Sequence, residues 1–302
     1  MPNLNFWIVT SFLYPILFAI NNIINSILVN KNFSNPYVLT FYKSITNFIF
    51  APILLIIYTP TIPSYSLIFM YFILGLLDLL YLIPYYKALK NIDTSIVTAL
   101  FALGRIIIPI LGYIFLDEKL KNIQYFGFFI IITSSILLSS QTIKSLKINK
   151  AFCLMILSSL IHSIFLVLEK YTINKDVTWI NMMIYPLIFS SIIPFILFFS
   201  SNTKAEIYKS FTNFKKNISL FLTMELFSFI GLLTITFILP HIPSTTKTSI
   251  SSSTPIFVLI FGLLLKTYKK ADYIENISKL ELRKKLFLFL LISYGTFLVI
   301  KP

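Results

Sequence analysis

The sequence predicts an all-α integral membrane protein with ten transmembrane helices, and three observations predict this class. The chain has 302 residues, of which 57% are hydrophobic and 12% charged, whereas soluble domains carry about 25% charged residues. The mean hydropathy is +0.86. Many apolar runs reach the roughly 20 residues that a helix needs to cross a bilayer, and they exceed the strands of about ten alternating residues found in membrane barrels.

Nine of the ten spans are predicted directly from apolar runs. The tenth, at 244–265, overlaps the polar stretch PSTTKTSISSSTP (Pro243 to Pro255), in which nine of thirteen residues are Ser or Thr. The apolar run that follows this stretch is too short to cross a bilayer alone, so we interpret the stretch as the polar half of a spanning helix. The predicted spans are 5–29, 37–58, 66–87, 95–116, 123–140, 151–169, 178–200, 218–239, 244–265 and 285–300.

An internal repeat divides these spans into two halves. A shift of 150 residues aligns 88–116 with 238–266 without a gap, and a shift of 144 aligns 13–31 with 157–175. Halves of five spans each cross the membrane in opposite directions. We therefore predict two five-helix repeats, 1–142 and 143–302, related by inversion, with a binding site near the membrane midplane between them.

The composition argues against several other classes of protein. A formal net charge of +14 in a soluble protein indicates nucleic-acid binding. Here most lysines lie between the apolar runs, where acidic lipid headgroups account for them, so no nucleic-acid partner is expected. One cysteine, two histidines and seven glycines leave little material for a metal site or a phosphate-binding loop. We expect neither a metal nor a cofactor.

A second pattern lies at the end of the first half, in residues 85–138. One helix ends in Ala88-Leu89-Lys90, the next is followed by Asp117-Glu118-Lys119-Leu120, and Gly127 opens a third. These motifs, with Lys43 early in the second span, resemble the EamA-like transporters of the drug/metabolite transporter (DMT) superfamily. The resemblance implies ten spans and membrane transport. It departs from the family at Arg105, where a proline is usual, and at Tyr268, where the second half lacks the family's Glu.

Charged residues deep in the predicted spans are the first candidates for binding. Arg105 lies near the middle of its span, where a charge is costly and is usually functional. Its guanidinium suits a carboxylate or phosphate, or it forms a structural ion pair with a buried acid. Asp78 and Glu225 are the two deep acids. Each is a candidate to carry a coupling proton, to hold a substrate ammonium group, or to neutralise Arg105.

Polar and aromatic residues on the same helix faces complete the candidate substrate-binding set. Thr98 and Phe101 share a face with Arg105, and Tyr81 and Tyr85 share one with Asp78. Lys247, Thr248 and Ser251 form either a water-lined surface or a packed helix whose hydroxyls bond the backbone and whose lysine extends to the interface. The remaining candidates are Asn21, Asn25 and His162, with simple packing as the alternative for His162. Lys43 is expected to reach the interface.

Deep charges of both signs, taken with the resemblance, predict a secondary active transporter rather than an enzyme. Its substrate is a small polar, zwitterionic or anionic metabolite, such as an amino acid or S-adenosylmethionine. We expect alternating access, with proton coupling or exchange. The alternatives are a nucleotide-sugar or phosphorylated-metabolite exchanger and a polytopic membrane enzyme.

The expected partners are the small-molecule substrate and the lipid bilayer. We expect a monomer or homodimer in the cell (inner) membrane, as a multi-pass protein. The direction of insertion stays open. The basic residues concentrate in the loops that follow the odd-numbered spans, which places both termini outside by the positive-inside rule. The family resemblance implies that both termini lie inside.

Overall fold

The computed structural model describes residues 4–104, 107–117, 119–139, 150–175, 177–242, 244–269 and 279–300. These ranges contain helices and connecting turns and no β-strand, which confirms the all-helical prediction for them. The α-helices are α1 (Leu4–Ser11), α2 (Leu13–Ile27), α3 (Pro36–Phe48), α4 (Phe50–Ile57), α5 (Tyr65–Leu80), α6 (Leu82–Leu89), α7 (Thr94–Gly104), α8 (Ile107–Leu116), α9 (Asn122–Ser139), α10 (Lys150–Ile173), α11 (Trp179–Ile192), α12 (Ser201–Lys216), α13 (Ile218–Ile238), α14 (Ser244–Ser251), α15 (Thr254–Lys269) and α16 (Lys279–Ile300). A π-helical segment, Leu28–Asn32, continues α2, and 3-10 segments follow α11 (Ile193–Phe199) and α13 (Leu239–His241).

Six helical stretches of the described chain are long and apolar enough to cross a membrane. They are Phe6–Asn32, Pro36–Ile56, Tyr65–Leu89, Lys150–Ile173, Ile180–Phe199 and Ile218–Ile238. The other four predicted spans correspond to α7 with α8, to α9, to α14 with α15, and to α16. The chain is thus a membrane protein with several spanning helices, while the total of ten spans and their inverted arrangement stay predictions.

Prolines explain where the long helices break. A proline in a helix lacks the N–H donor and its ring clashes with the carbonyl four residues earlier. Helices α1, α3, α5 and α14 end at Ser11, Phe48, Leu80 and Ser251. Each of these residues lies four positions before a proline, namely Pro15, Pro52, Pro84 and Pro255. The break between α14 and α15 divides the Ser/Thr-rich stretch at Ser252 and Ser253.

Helix α12 lies in a connection for which the sequence predicted no structure. It is polar along most of its length, but Ile207 is buried and Phe214 stacks on Tyr42 at a ring distance of 4.4 Å. The Tyr42 hydroxyl donates to the Ile207 carbonyl at 2.5 Å. These contacts attach α12 to the middle of α3, and Tyr208 on its outer side is 65% exposed.

Two contacts hold α16 against the rest of the protein. Gly127 of α9 and Gly295 of α16 face each other so closely that a Cβ added to either would lie 2.7 Å from the carbonyl oxygen of the other. Small residues permit such close helix packing in membranes. Lys285 of α16 forms a buried ion pair with Asp93, just before α7, at 2.8 Å. This pair connects the last helix to the first half of the chain.

Candidate functional site

A cavity of about 90 Å³ lies among the helices of both halves of the chain. Helices α2, α3, α5, α6 and α7 border it from the first half, and α10, α13, α14 and α15 from the second. Eleven of the thirteen predicted site residues line it: Asn21, Asn25, Asp78, Tyr81, Tyr85, Thr98, Phe101, His162, Glu225, Lys247 and Ser251. The fold therefore brings together residues that are up to 230 positions apart in the sequence.

Two predicted residues cannot be placed in this cavity. Arg105 lies outside the described residues, between α7 and α8. Thr248 belongs to α14, but its side chain lies outside the described part of the structure.

The two deep acids, Asp78 and Glu225, both face the cavity. Glu225 is 1% exposed, and its Oε1 atom has no hydrogen-bond partner in the described part of the structure. Lys43 also lines the cavity and is close enough to both acids to interact with them electrostatically. Lys43 therefore faces the cavity, whereas the sequence predicted that its side chain reaches the membrane interface.

Lys247 is anchored by an acid that the sequence did not single out. Its Nζ atom lies 2.6 Å from Oε2 of Glu169, near the end of α10. The two side chains are only 3% and 5% exposed, so Lys247 does not extend to the membrane interface. Nearby, the Ser251 hydroxyl donates to the Lys247 carbonyl at 2.8 Å, as expected for a serine within a helix.

An asparagine network from α2 lines the cavity. Asn25 donates to the side-chain oxygen of Asn21, and Asn21 donates to the hydroxyl of Ser228 on α13. The Tyr86 hydroxyl donates to Asn25 Oδ1 at 3.1 Å. Because these partners come from α6 and α13, the network connects helices of both halves on the side of the cavity near Glu225.

Aromatic rings also line the cavity. The His162 ring packs on Tyr81 at 4.9 Å and on Phe101 at 5.5 Å, measured between ring centroids. Tyr85 packs on Phe101 at 5.6 Å, and its hydroxyl donates to Asn22. His162 thus contributes both to packing and to the cavity surface. These π faces can contact apolar or cationic parts of a ligand.

The types of side chain around the cavity could bind a small charged molecule. They include carboxyl groups, two ammonium groups, amides and aromatic rings. Among the described residues there is no group of three or more His, Cys, Asp or Glu side chains that could hold a metal ion.

Comparison with known proteins identifies the first half of the chain. Residues 5–140 match the model of the EamA-like transporter family. They belong to this family. This match confirms the predicted EamA-like resemblance for the first half of the chain. The match ends near the predicted boundary between the two repeats.

Solved structures are similar to this protein over nearly its whole length. A set of 28 chains matches it. One of them, a crystal structure, aligns with a TM-score of 0.60 and 12% sequence identity, covering 95% of this chain and 98% of the other. At this identity the likeness shows a common fold and says nothing about substrate. No curated protein matches the sequence.

Sequence reasoning missed Glu169 and misplaced Lys43. Glu169 is at the end of a predicted span, followed by Lys170, so the two resemble an ordinary charged helix end. Lys43 is only seven residues after Pro36. A signal for Glu169 does exist, because the buried Lys247 requires an acidic partner and few acids lie at a comparable depth.

Proposed function

We propose that this protein is a secondary active transporter that moves a small zwitterionic or anionic metabolite across a membrane. Alternating access would arise from movement of the two five-helix halves, 1–142 and 143–302, around the central cavity. The observation that carries this proposal is the cavity itself, which is lined from both halves and contains charges of both signs. Transport rather than catalysis agrees with the family of residues 5–140.

The first residues of two helix pairs, α7 with α8 and α14 with α15, support an inverted repeat. Helix α7 begins at Thr94 and α14 begins at Ser244, which is the 150-residue shift of the sequence repeat. A buried ion pair holds each start, through Asp93 before α7 and through Lys247 within α14.

The size of the cavity favours a small substrate. A water molecule needs about 10–15 Å³ of such space, so a cavity of about 90 Å³ holds on the order of six waters. This volume suits an amino acid in the present conformation. S-adenosylmethionine or a nucleotide sugar would require the helices to separate further. Lys247 is also neutralised by Glu169, which weakens the case for a phosphorylated substrate.

Asp78 and Glu225 are the candidates for proton coupling. Both face the cavity, and Glu225 has a buried oxygen without a hydrogen-bond donor in the described structure. A carboxyl group in this position can take up a proton when no substrate ammonium is present. We place the protein in the inner membrane, with exchange as the alternative to proton coupling.

Uptake by purified protein in liposomes tests the proposal. The solutes are labelled amino acids, S-adenosylmethionine, nucleotide sugars and phosphosugars, each measured with and without a pH gradient. We expect saturable uptake of an amino-acid-sized solute, and stimulation by the gradient if an acid carries a proton. Uptake limited to nucleotide sugars would select the exchanger alternative. No uptake of any solute, from protein shown to be folded, would reject the proposed function.

A further inference from the structure

Lys43 occupies an unusual place for a lysine. It lies within α3, seven residues after Pro36 and about 10 Å along the helix axis from that end. Its neighbours Tyr42 and Ser44 are buried on other faces of α3. The Lys43 side chain lines the cavity together with Asp78 and Glu225. A lysine in a membrane-spanning helix normally needs an acidic partner or a functional reason.

The three charged groups are near each other and yet are not directly paired. Lys43 is near enough to Asp78 and Glu225 to interact with both electrostatically; Asp78 also acts on Glu225, and Glu169 acts on Asp78. In the described structure the Lys43–Asp78 and Lys43–Glu225 pairs form no salt bridge, unlike Lys247 and Glu169 at 2.6 Å. Oε1 of Glu225 has no hydrogen-bond partner there either. The cavity therefore keeps one ammonium and two carboxyl groups available for a ligand.

Charge complementarity indicates which ligand fits these groups. A purely anionic ligand would bring a negative charge next to two acids, and a purely cationic one would engage both acids and leave Lys43 without a negative partner. A zwitterion avoids both costs, because its ammonium can meet the carboxyl groups while its carboxylate meets the lysine. Hydrogen bonds between charged groups are the strong ones, and they strengthen in a low-dielectric site.

We infer that Lys43 binds the carboxylate of a zwitterionic substrate and that Asp78 and Glu225 bind its ammonium group. This inference rests on the proposed transport function and makes its substrate class specific. When the cavity is empty, the Lys43 ammonium compensates the two acids. When a substrate enters, its own ammonium takes over that role, and Lys43 becomes available for the substrate carboxylate.

Binding to the purified full-length protein tests the inference without requiring transport. Calorimetry would measure affinity for each L-amino acid, for its carboxamide, which lacks the negative charge, and for its N-acetyl form, which lacks the positive charge. We expect wild type to bind the amino acid about tenfold to a hundredfold more tightly than either analogue. A wild-type protein that binds no zwitterion, or that binds the carboxamide equally well, overturns the inference before any variant is made.

Variants then test separately which residue binds the carboxylate of the substrate and which binds its ammonium group. Lys43→Met should remove the preference for the acid over the carboxamide and keep the preference over the N-acetyl form, and Glu225→Gln should weaken the second preference selectively. Lys87→Met is the matched control, because Lys87 lies over the Tyr37 ring at 5.3 Å and does not line the cavity. It should keep both preferences.

Two outcomes distinguish this inference from the proposed function. A folded Lys43→Met protein that still prefers the free carboxylate would show that another group binds it. Selective zwitterion binding that depends on Lys43, without any transport in liposomes, would keep this assignment and reject the transport function.

Discussion

Breaking the Lys247–Glu169 ion pair should strongly destabilise the protein. The two atoms lie 2.6 Å apart, and the side chains are 3% and 5% exposed, so bulk water cannot replace a lost partner. In Lys247→Met, the Glu169 carboxylate is left buried without its partner. Removing one member of a buried pair costs about 3–5 kcal/mol of unfolding free energy. We expect a value near 3 kcal/mol here, because the pair borders a cavity that can admit water.

The double variant Lys247→Met/Glu169→Gln should recover most of this stability. Replacing both members of a buried pair removes the uncompensated charge together with its desolvation cost, and such replacements are often neutral. The strength of the coupling is the difference between the double variant and the sum of the two single variants.

Lys285 and Asp93 provide a matched control. They form a buried pair of similar length, 2.8 Å, but neither residue lines the cavity. Lys285→Met should therefore lower stability by a similar amount and leave substrate selectivity unchanged, while Lys247→Met should alter both.

The assay is reversible denaturant unfolding of the purified protein in detergent, followed by helical circular dichroism, with substrate binding measured on the folded variants. Equal stability of Lys247→Met and wild type would refute the reasoning. A double variant that is as unstable as the sum of its single variants would also refute it, because the two side chains would then act independently.

Three further predictions concern the packing of α16, the polar part of α14 and Arg105. Gly127→Ala should lower unfolding free energy by about 1–3 kcal/mol, because the new Cβ would lie 2.7 Å from a backbone oxygen of α16; unchanged stability would mean that the two helices separate freely. In a Cys153→Ser background, Ser251→Cys should react with a small water-soluble thiol reagent and be protected by substrate, whereas labelling that ignores substrate would remove Ser251 from the cavity surface. Arg105→Ala should abolish uptake while folded protein remains in the membrane, and wild-type uptake by that variant would contradict an anchoring role.

Several features of the site were predictable because they depend on local chemistry. Asp78 and Glu225 are conspicuous in apolar spans, where a charge is costly unless it has a use. The helical period places Tyr81 and Tyr85 on the same face as Asp78, and all three line the cavity. The polar stretch before Pro255 is helical as predicted, although the proline divides it at Ser252 and Ser253.

The direction of the lysines was not predictable, because it depends on which helices surround them. Lys43 and Lys247 both lie a few residues from a helix end, where a long flexible side chain can reach either the interface or the interior. The position of a lysine in the sequence is the same whether its side chain points to the interface or to the interior. Only the neighbouring helices, which bring Glu169 to Lys247 and place Lys43 near Asp78 and Glu225, determine the choice.

The sequence alone determined that this protein is helical, spans a membrane and resembles the EamA-like transporters, since run length, hydropathy and motifs are properties of the chain. The tertiary structure decided which charges of the described residues form a direct ion pair, as Lys247 and Glu169 do, and which face the cavity without one, as Lys43 does. The physical reason is that a buried charge is stabilised by partners within a few ångströms, and α3, α5, α10, α13 and α14 supply those partners only after they pack together.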